Sequence, residues 1–169
     1  MRCGRPTEPN AAVARLRRYQ QAPQPPSTLS AAVEPERDTV SLDVINHIEI
    51  AVTDAERSRL FYEAALSPLG LDLAISTTAA VLGSARYGFG RNGYPSLWIH
   101  GEPGTRRPAH VAFSAMDRAA VIAFHKAAVE NGGTDNGGPG IRERYHPSYF
   151  AAYVLDPDGN NIEAVCQSA

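Results

Sequence analysis

"NHIEIAVTDAERSRLFYEAALSPLGLD" (46–72) and "AHVAFSAMDRAAVIAFHKAAVENGGTD" (109–135) lie on each other without a gap at an offset of 63. His47 falls on His110, Asp54 on Asp117, Phe61 on Phe124, Gly70 on Gly133 and Asp72 on Asp135. The apolar positions agree too: Ile48 with Val111, Ile50 with Phe113, Leu66 with Val129. Self-similarity at a fixed offset marks a duplicated supersecondary unit.

Each copy opens with period-2 alternation, which predicts a strand, and passes into helical periodicity. In the first helix Thr53 and Glu56 have capping-box spacing, and Asp54 adds negative charge at the positive helix end. Leu60, Phe61, Ala64 and Ala65 form its apolar stripe; Val121, Phe124, Ala128 and Val129 form that of the second, which Gly132–Gly133 should stop. Turn residues then divide each copy into short strands, near 71–78, 84–90 and 95–100, and near 133–136, 148–155 and 160–166. "DPDG" (156–159) is a tight turn between the last two. The pattern predicts an α+β fold of two βαβββ units, residues 44–103 and 107–167, with the helices outside.

The bulk numbers agree with one domain. The chain has 169 residues, 43% apolar and 20% charged, enough for a real core. A net charge of −2 carries no polyanion-binding signature, which excludes nucleic acid as the expected partner. No apolar run approaches the roughly 18–20 residues of a membrane helix. Cys3 and Cys166 make neither a metal-ligand spacing nor a disulfide framework, which points to a reducing, cytoplasmic setting. Residues 1–40 are rich in Pro, Ala, Arg and Gln and poor in large apolar groups. Such a composition predicts a disordered tail, or a start codon placed too early.

In the strand "HIEIAV" (47–52), His47 and Glu49 share one face while Ile48, Ile50 and Val52 take the other. Its counterpart aims His110 the same way. In "NNIEAV" (160–165), Asn161, Glu163 and Val165 share a face, and the offset of 63 carries Glu163 back to His100 in "SLWIH" (96–100). Two symmetry-related pairs therefore carry His47, His110, His100 and Glu163. Imidazole and carboxylate are the ligands that Fe, Mn, Co, Ni and Zn accept, and two histidines with one carboxylate suit non-haem Fe(II). A carboxylate among apolar strands also needs a compensating cation or hydrogen bonds. The expected cofactor is one divalent metal ion.

The motifs "NHIEIAVTD", "FYEAALSPLGL", "AHVAFSA" and "YVLDPDGNNIEAV" resemble the vicinal-oxygen-chelate superfamily, which holds glyoxalase I, extradiol dioxygenases, fosfomycin-resistance proteins and bleomycin-binding proteins. The resemblance covers about residues 44–167, and the second half further resembles bacterial members described as glyoxalase-like. It implies paired modules curled into a cupped, partly open eight-stranded barrel around a divalent metal. It implies His47, His110 and Glu163 as ligands, with the family's variable fourth position in Trp98–His100. Glyoxalase I-like members carry a carboxylate in that fourth region, where this sequence offers His100. Glu49 is then a ligand, a general base or a partner of an imidazole. Extradiol enzymes have a tyrosine ten residues before the ligand glutamate, the place of Tyr153, and an acid–base histidine roughly where His146 stands in "RYHPSYF".

The resemblance implies an enzyme acting on a small-molecule substrate, by glyoxalase-like isomerisation or extradiol-type oxygenation. Glu49, Tyr153 and His146 are expected in catalytic roles, with Trp98 and Tyr149 against the substrate. The competing expectations are a metal-free drug- or metabolite-binding protein of the bleomycin-resistance type, and a fosfomycin-type thiol transferase. The resemblance also implies a homodimer.

Overall fold

The computed structural model describes residues 45–78, 83–104 and 107–168. The expectation for residues 1–40 lies outside them. The elements run β1 (Ile48–Val52), α1 (Ala55–Leu66), a 3-10 turn (Ser67–Leu69), β2 (Asp72–Thr77), β3 (Arg86–Arg91) and β4 (Tyr94–Gly101). The second half repeats them as β5 (His110–Ser114), α2 (Arg118–Glu130), β6 (Thr134–Ile141), β7 (Phe150–Leu155) and β8 (Asn161–Cys166). The two βαβββ units are present as expected. Each forms its own four-stranded mixed sheet, ordered β1-β4-β3-β2 and β5-β8-β7-β6, and the sheets cup without closing into a barrel.

Local chemistry differs from expectation at a few points. The cap of α1 is Asp54, which accepts from the amides of Glu56 and Arg57. Thr53 instead gives its amide and hydroxyl to Asp158, so the capping-box spacing is overridden by a tertiary contact. Leu60 and Val129 turn outward, and Tyr62 and Leu66 take the buried stripe of α1. Strand β6 runs on through "NGGPGI" because register shifts near Gly137 and Gly140 absorb the irregular backbone that the glycines and proline impose.

Both sheets bury one face in a common core. Val52, Tyr87, Phe89, Leu97 and Ile99 fill it from the first sheet; Ala152, Val154, Ile162, Ala164 and Cys166 fill it from the second. The two helices pack on these faces and on each other. Since strand side chains alternate, the other face of each sheet points away from the shared core. The candidate ligand residues of the strands lie on those open faces.

Phe61 of α1 crosses into the second half, where it meets Gly133 and Val154. A Cβ on Gly133 would stand 2.5 Å from Val154 Cγ1 and 2.8 Å from both Phe61 Cε2 and the Ala128 carbonyl oxygen. Gly133→Ala is expected to destabilise the domain by about 1–3 kcal/mol through overpacking. Thermal unfolding would show it, and an unchanged midpoint would contradict this packing.

The turn "DPDGN" (156–160) ties the halves from the other side. Asp156 is 4% exposed and accepts from the amides of Asp158 and Asn160, from Asn160 Nδ2, and from the Tyr62 hydroxyl at 2.7 Å. Asp158 receives the amide of Thr53 at 2.9 Å and the hydroxyl of Ser58 at 3.1 Å.

Candidate functional site

Strand β5 is the outer edge of the second sheet, and it runs parallel to β8 with His110 opposite Asn161 and Ala112 opposite Glu163. On the open face, His110 Nε2 stands 3.3 Å from Glu163 Oε2. His110 Nδ1 lies 3.1 Å from the backbone carbonyl of Asn161. The Asn161 side-chain amide stands at the same nitrogen, with Nδ2 2.9 Å from His110 Nδ1, so Asn161 holds the ring from main chain and side chain with Nε2 toward the carboxylate. Glu163 is 2% exposed, and its other oxygen accepts the Tyr149 hydroxyl at 2.7 Å. Burial and the bond to Glu163 hold the Tyr149 phenol well above its ordinary pKa, so it donates throughout the neutral range. Tyr153 lies across from Glu163 on β7, with its ring stacked on His110 at a centroid distance of 6.5 Å. Burial and the Glu163 charge raise its phenol too. The Tyr153 hydroxyl, close to Glu163 but outside good hydrogen-bond geometry, is a buried donor without an acceptor.

These groups line a cavity of about 660 Å³. Its far side is made by Gly137, Gly138, Arg142 and Arg144. All of its lining residues belong to the second half.

The first half carries a second polar group on its own open face. Glu49 accepts from Arg86 and lies 3.0 Å from His100 Nδ1, while Glu102 lies 3.3 Å from His100 Nε2. The Arg86 guanidinium sits 5.8 Å from the Trp98 ring. His47 stands exposed just before β1, with Nδ1 2.9 Å from Asn46 Oδ1, which also accepts from Tyr94. The acceptor at Nδ1 leaves Nε2 for a ligand.

The structure thus brings His110, Glu163, Tyr149 and Tyr153 together, and separately Glu49, His100 and Trp98. It does not bring the four expected ligands together: among the described residues no three or more His, Cys, Asp or Glu side chains gather where they could hold a metal. The physical reason is the shared core, which turns the two open faces away from each other. His146 is exposed, accepts the Ser148 amide at Nδ1 and does not line the cavity.

The sheet register also revises the symmetry match. Counting from the cap residues Asp54 and Asp117, Glu49 corresponds to Ala112. Ala112 faces Glu163, but Glu49 faces Trp98. Trp98, rather than His100, therefore holds the place of Glu163, because the second half has two more residues between its first and last strands than the first half. Gly88 lies under the indole, where a Cβ would come within 3.1 Å of it. Sequence reasoning missed the hold of Asn161 on His110 and the pairing of Arg86 with Glu49. The glycines of "NGGPG" bring the backbone close to Arg142 there.

A family model described as the Glyoxalase/Bleomycin resistance protein/Dioxygenase superfamily matches residues 44–164. Among solved structures, the chain is similar to a glyoxalase/bleomycin resistance protein from Albidiferax ferrireducens, at 29% identity over 73% of this chain and 98% of that one, with a TM-score of 0.59. It is similar in fold to glyoxalase I from Zea mays, at 24% identity and a TM-score of 0.56, over 72% of this chain and 45% of the maize chain. The fold is also that of a glyoxalase-related enzyme from Fulvimarina pelagi, at 20% identity over 74% of this chain and 88% of that one, with a TM-score of 0.55. No curated protein matches.

Proposed function

Since the chain belongs to the Glyoxalase/Bleomycin resistance protein/Dioxygenase superfamily, we propose that it is a divalent-metal-dependent, glyoxalase-like lyase or isomerase acting on a small oxygenated substrate. The observation that carries the reading is the His110–Glu163 pair. Glu163 is a buried carboxylate with no lysine or arginine ion pair among the described residues, and the His110 imidazole converges on it with Nε2 at 3.3 Å. Such a carboxylate is a ready ligand for a cation.

His110 and Glu163 supply half of the centre. The other half comes from a second copy. Both β1 and β5 are sheet edges, and edge strands pair readily with another chain. Apposing β1 of one copy to β5 of another sets His47 beside His110, with Glu49 and His100 on the same open face. The protein then works as a homodimer. A divalent cation held there supplies Lewis acidity to the substrate oxygens. Within this chain, Asn161 holds the His110 ring in place through its carbonyl and its side-chain amide. Tyr149 keeps a hydrogen bond on Glu163, and the unsatisfied Tyr153 hydroxyl offers a donor to a substrate oxygen. Glu49 of the second copy is the candidate to move a proton.

One observation favours a second reading. Because no single chain gathers three ligands among its described residues, a metal-free binding protein is the competitor. Elemental analysis of chain purified without chelators separates the two. About one divalent metal per chain, lost in His110→Ala with an unchanged circular dichroism spectrum, is the expected result. No specific metal after reconstitution moves the function to ligand binding.

A further inference from the structure

We propose that the Arg142 side of the cavity is an anion subsite that selects a small planar monocarboxylate as the ligand of this site. The inference rests on the cavity being the ligand site, and is independent of whether a metal occupies its other end.

The guanidinium of Arg142 is seated rather than loose. Nη2 donates to the Gly138 carbonyl at 2.6 Å, and the group lies on the Tyr153 ring at 5.4 Å. Two glycines make the seat. At Gly137 (φ +148°) a Cβ would stand 3.1 Å from Tyr153 Cδ2 and 3.4 Å from Arg142 Nη2, and at Gly140 it would stand 3.2 Å from Arg142 Nη1. A side chain at either position would push into the slot that the guanidinium fills. The run "NGGPG" therefore serves to lay a positive charge against the cavity wall. Arg144 is clipped beside it: Nη2 donates to the Tyr145 hydroxyl at 2.9 Å, and the guanidinium covers that ring at 4.6 Å.

Neither arginine has a carboxylate within ion-pair distance among the described residues, although Arg57, Arg59 and Arg86 all do. A fixed guanidinium keeps several coplanar donors, the geometry that a carboxylate accepts in a two-bond fork. Two guanidinium charges stand against one carboxylate, Glu163, which leaves a single positive excess and fits a monoanion. The ring pair Tyr145–Tyr149, with centroids 5.2 Å apart, and Tyr153 provide flat walls. Glu163 repels the anionic end of the ligand, so the carboxylate sits at Arg142 and the rest of the molecule reaches toward His110.

The test uses the full chain freed of metal by chelation, titrated at low salt with benzoate, its neutral isostere benzamide, and phenyl phosphate. The readout is the amide shifts of residues 136–142. Benzoate is expected to bind about tenfold more tightly than benzamide, with a preference that fades as salt is raised. Arg142→Gln is expected to reduce benzoate to the benzamide level, and Lys126→Gln on the surface of α2 to leave it unchanged. Gly140→Ala, which keeps the charge but crowds the seat, should weaken benzoate several-fold, and it carries the test if Arg142→Gln does not fold. Equal binding of benzoate and benzamide, or benzoate affinity unchanged in both variants, overturns the subsite. Tighter binding of phenyl phosphate overturns the monocarboxylate. Metal content measured on the same preparations before chelation keeps the two readings apart. Benzoate selectivity without any specific metal sinks the enzyme alone, and metal without benzoate selectivity sinks this subsite alone.

Discussion

Asp156→Ala is expected to lower the stability of the domain by about 4 kcal/mol, the largest loss from any single polar substitution among the described residues. The change removes the acceptor of four donors at once, the Tyr62 hydroxyl, Asn160 Nδ2 and two backbone amides, in a place where water does not replace it. Each stranded buried donor costs roughly 1–3 kcal/mol, less whatever the turn regains by relaxing. Tyr62→Phe, which deletes one donor and strands none, should lose only about 1 kcal/mol. Urea unfolding of both variants checks the pair. Equal small effects would mean that the turn does not hold the halves.

The neighbouring carboxylate adds a pH signature. Burial by itself raises the Asp158 carboxyl, but the bonds from Thr53 and Ser58 and the charge of Arg57 outweigh it and hold it below the ordinary value. A group depressed in the folded state stabilises fully above its unfolded pKa, about 3.9, and that contribution is lost as pH falls through the folded value. Wild-type stability should therefore drop more steeply below about pH 4 than that of Asp158→Asn.

The second large effect concerns where the metal ligands come from. His47→Ala and Glu163→Ala are each expected to reduce divalent-metal affinity by more than the roughly 10–100-fold that loss of an outer partner costs. If each centre takes His47 from one copy and Glu163 from another, unfolding and refolding the two variants together restores metal to about a quarter of the sites. Half of the randomly formed pairs are mixed, and one of the two sites in each is intact. A centre made within one chain recovers nothing on mixing, because every chain lacks a ligand. Metal analysis of the mixture, against each variant refolded alone, decides it.

The fold was legible because duplication doubles every weak signal. Phe61 over Phe124 and Asp54 over Asp117 fix both helices and their caps, and the alternating strands fall into place around them. The site was legible only in halves. His110 and Glu163 stand at matching depth on adjacent strands of one unit, so the repeat was enough to pair them. Their meeting with His47 depends on how the units face, and nothing in the alternation says whether two sheets share a cup or share a core. The large residues that decide this, Phe61 against Val154 and Tyr62 against Asp156, look in the sequence like ordinary core. The match of Glu163 to His100 failed because the second half is two residues longer between its first and last strands, and a single fixed offset carries no gap. The seat of Arg142 was not legible, because a glycine that makes room for a guanidinium reads the same as one that makes a turn.

The common core bears on how the two repeats come apart. Opening either repeat uncovers the helix that the other packs against, so the described residues should exchange their deep amides as one cooperative unit rather than two. Amides of the central strands β4 and β8 then share a single opening free energy.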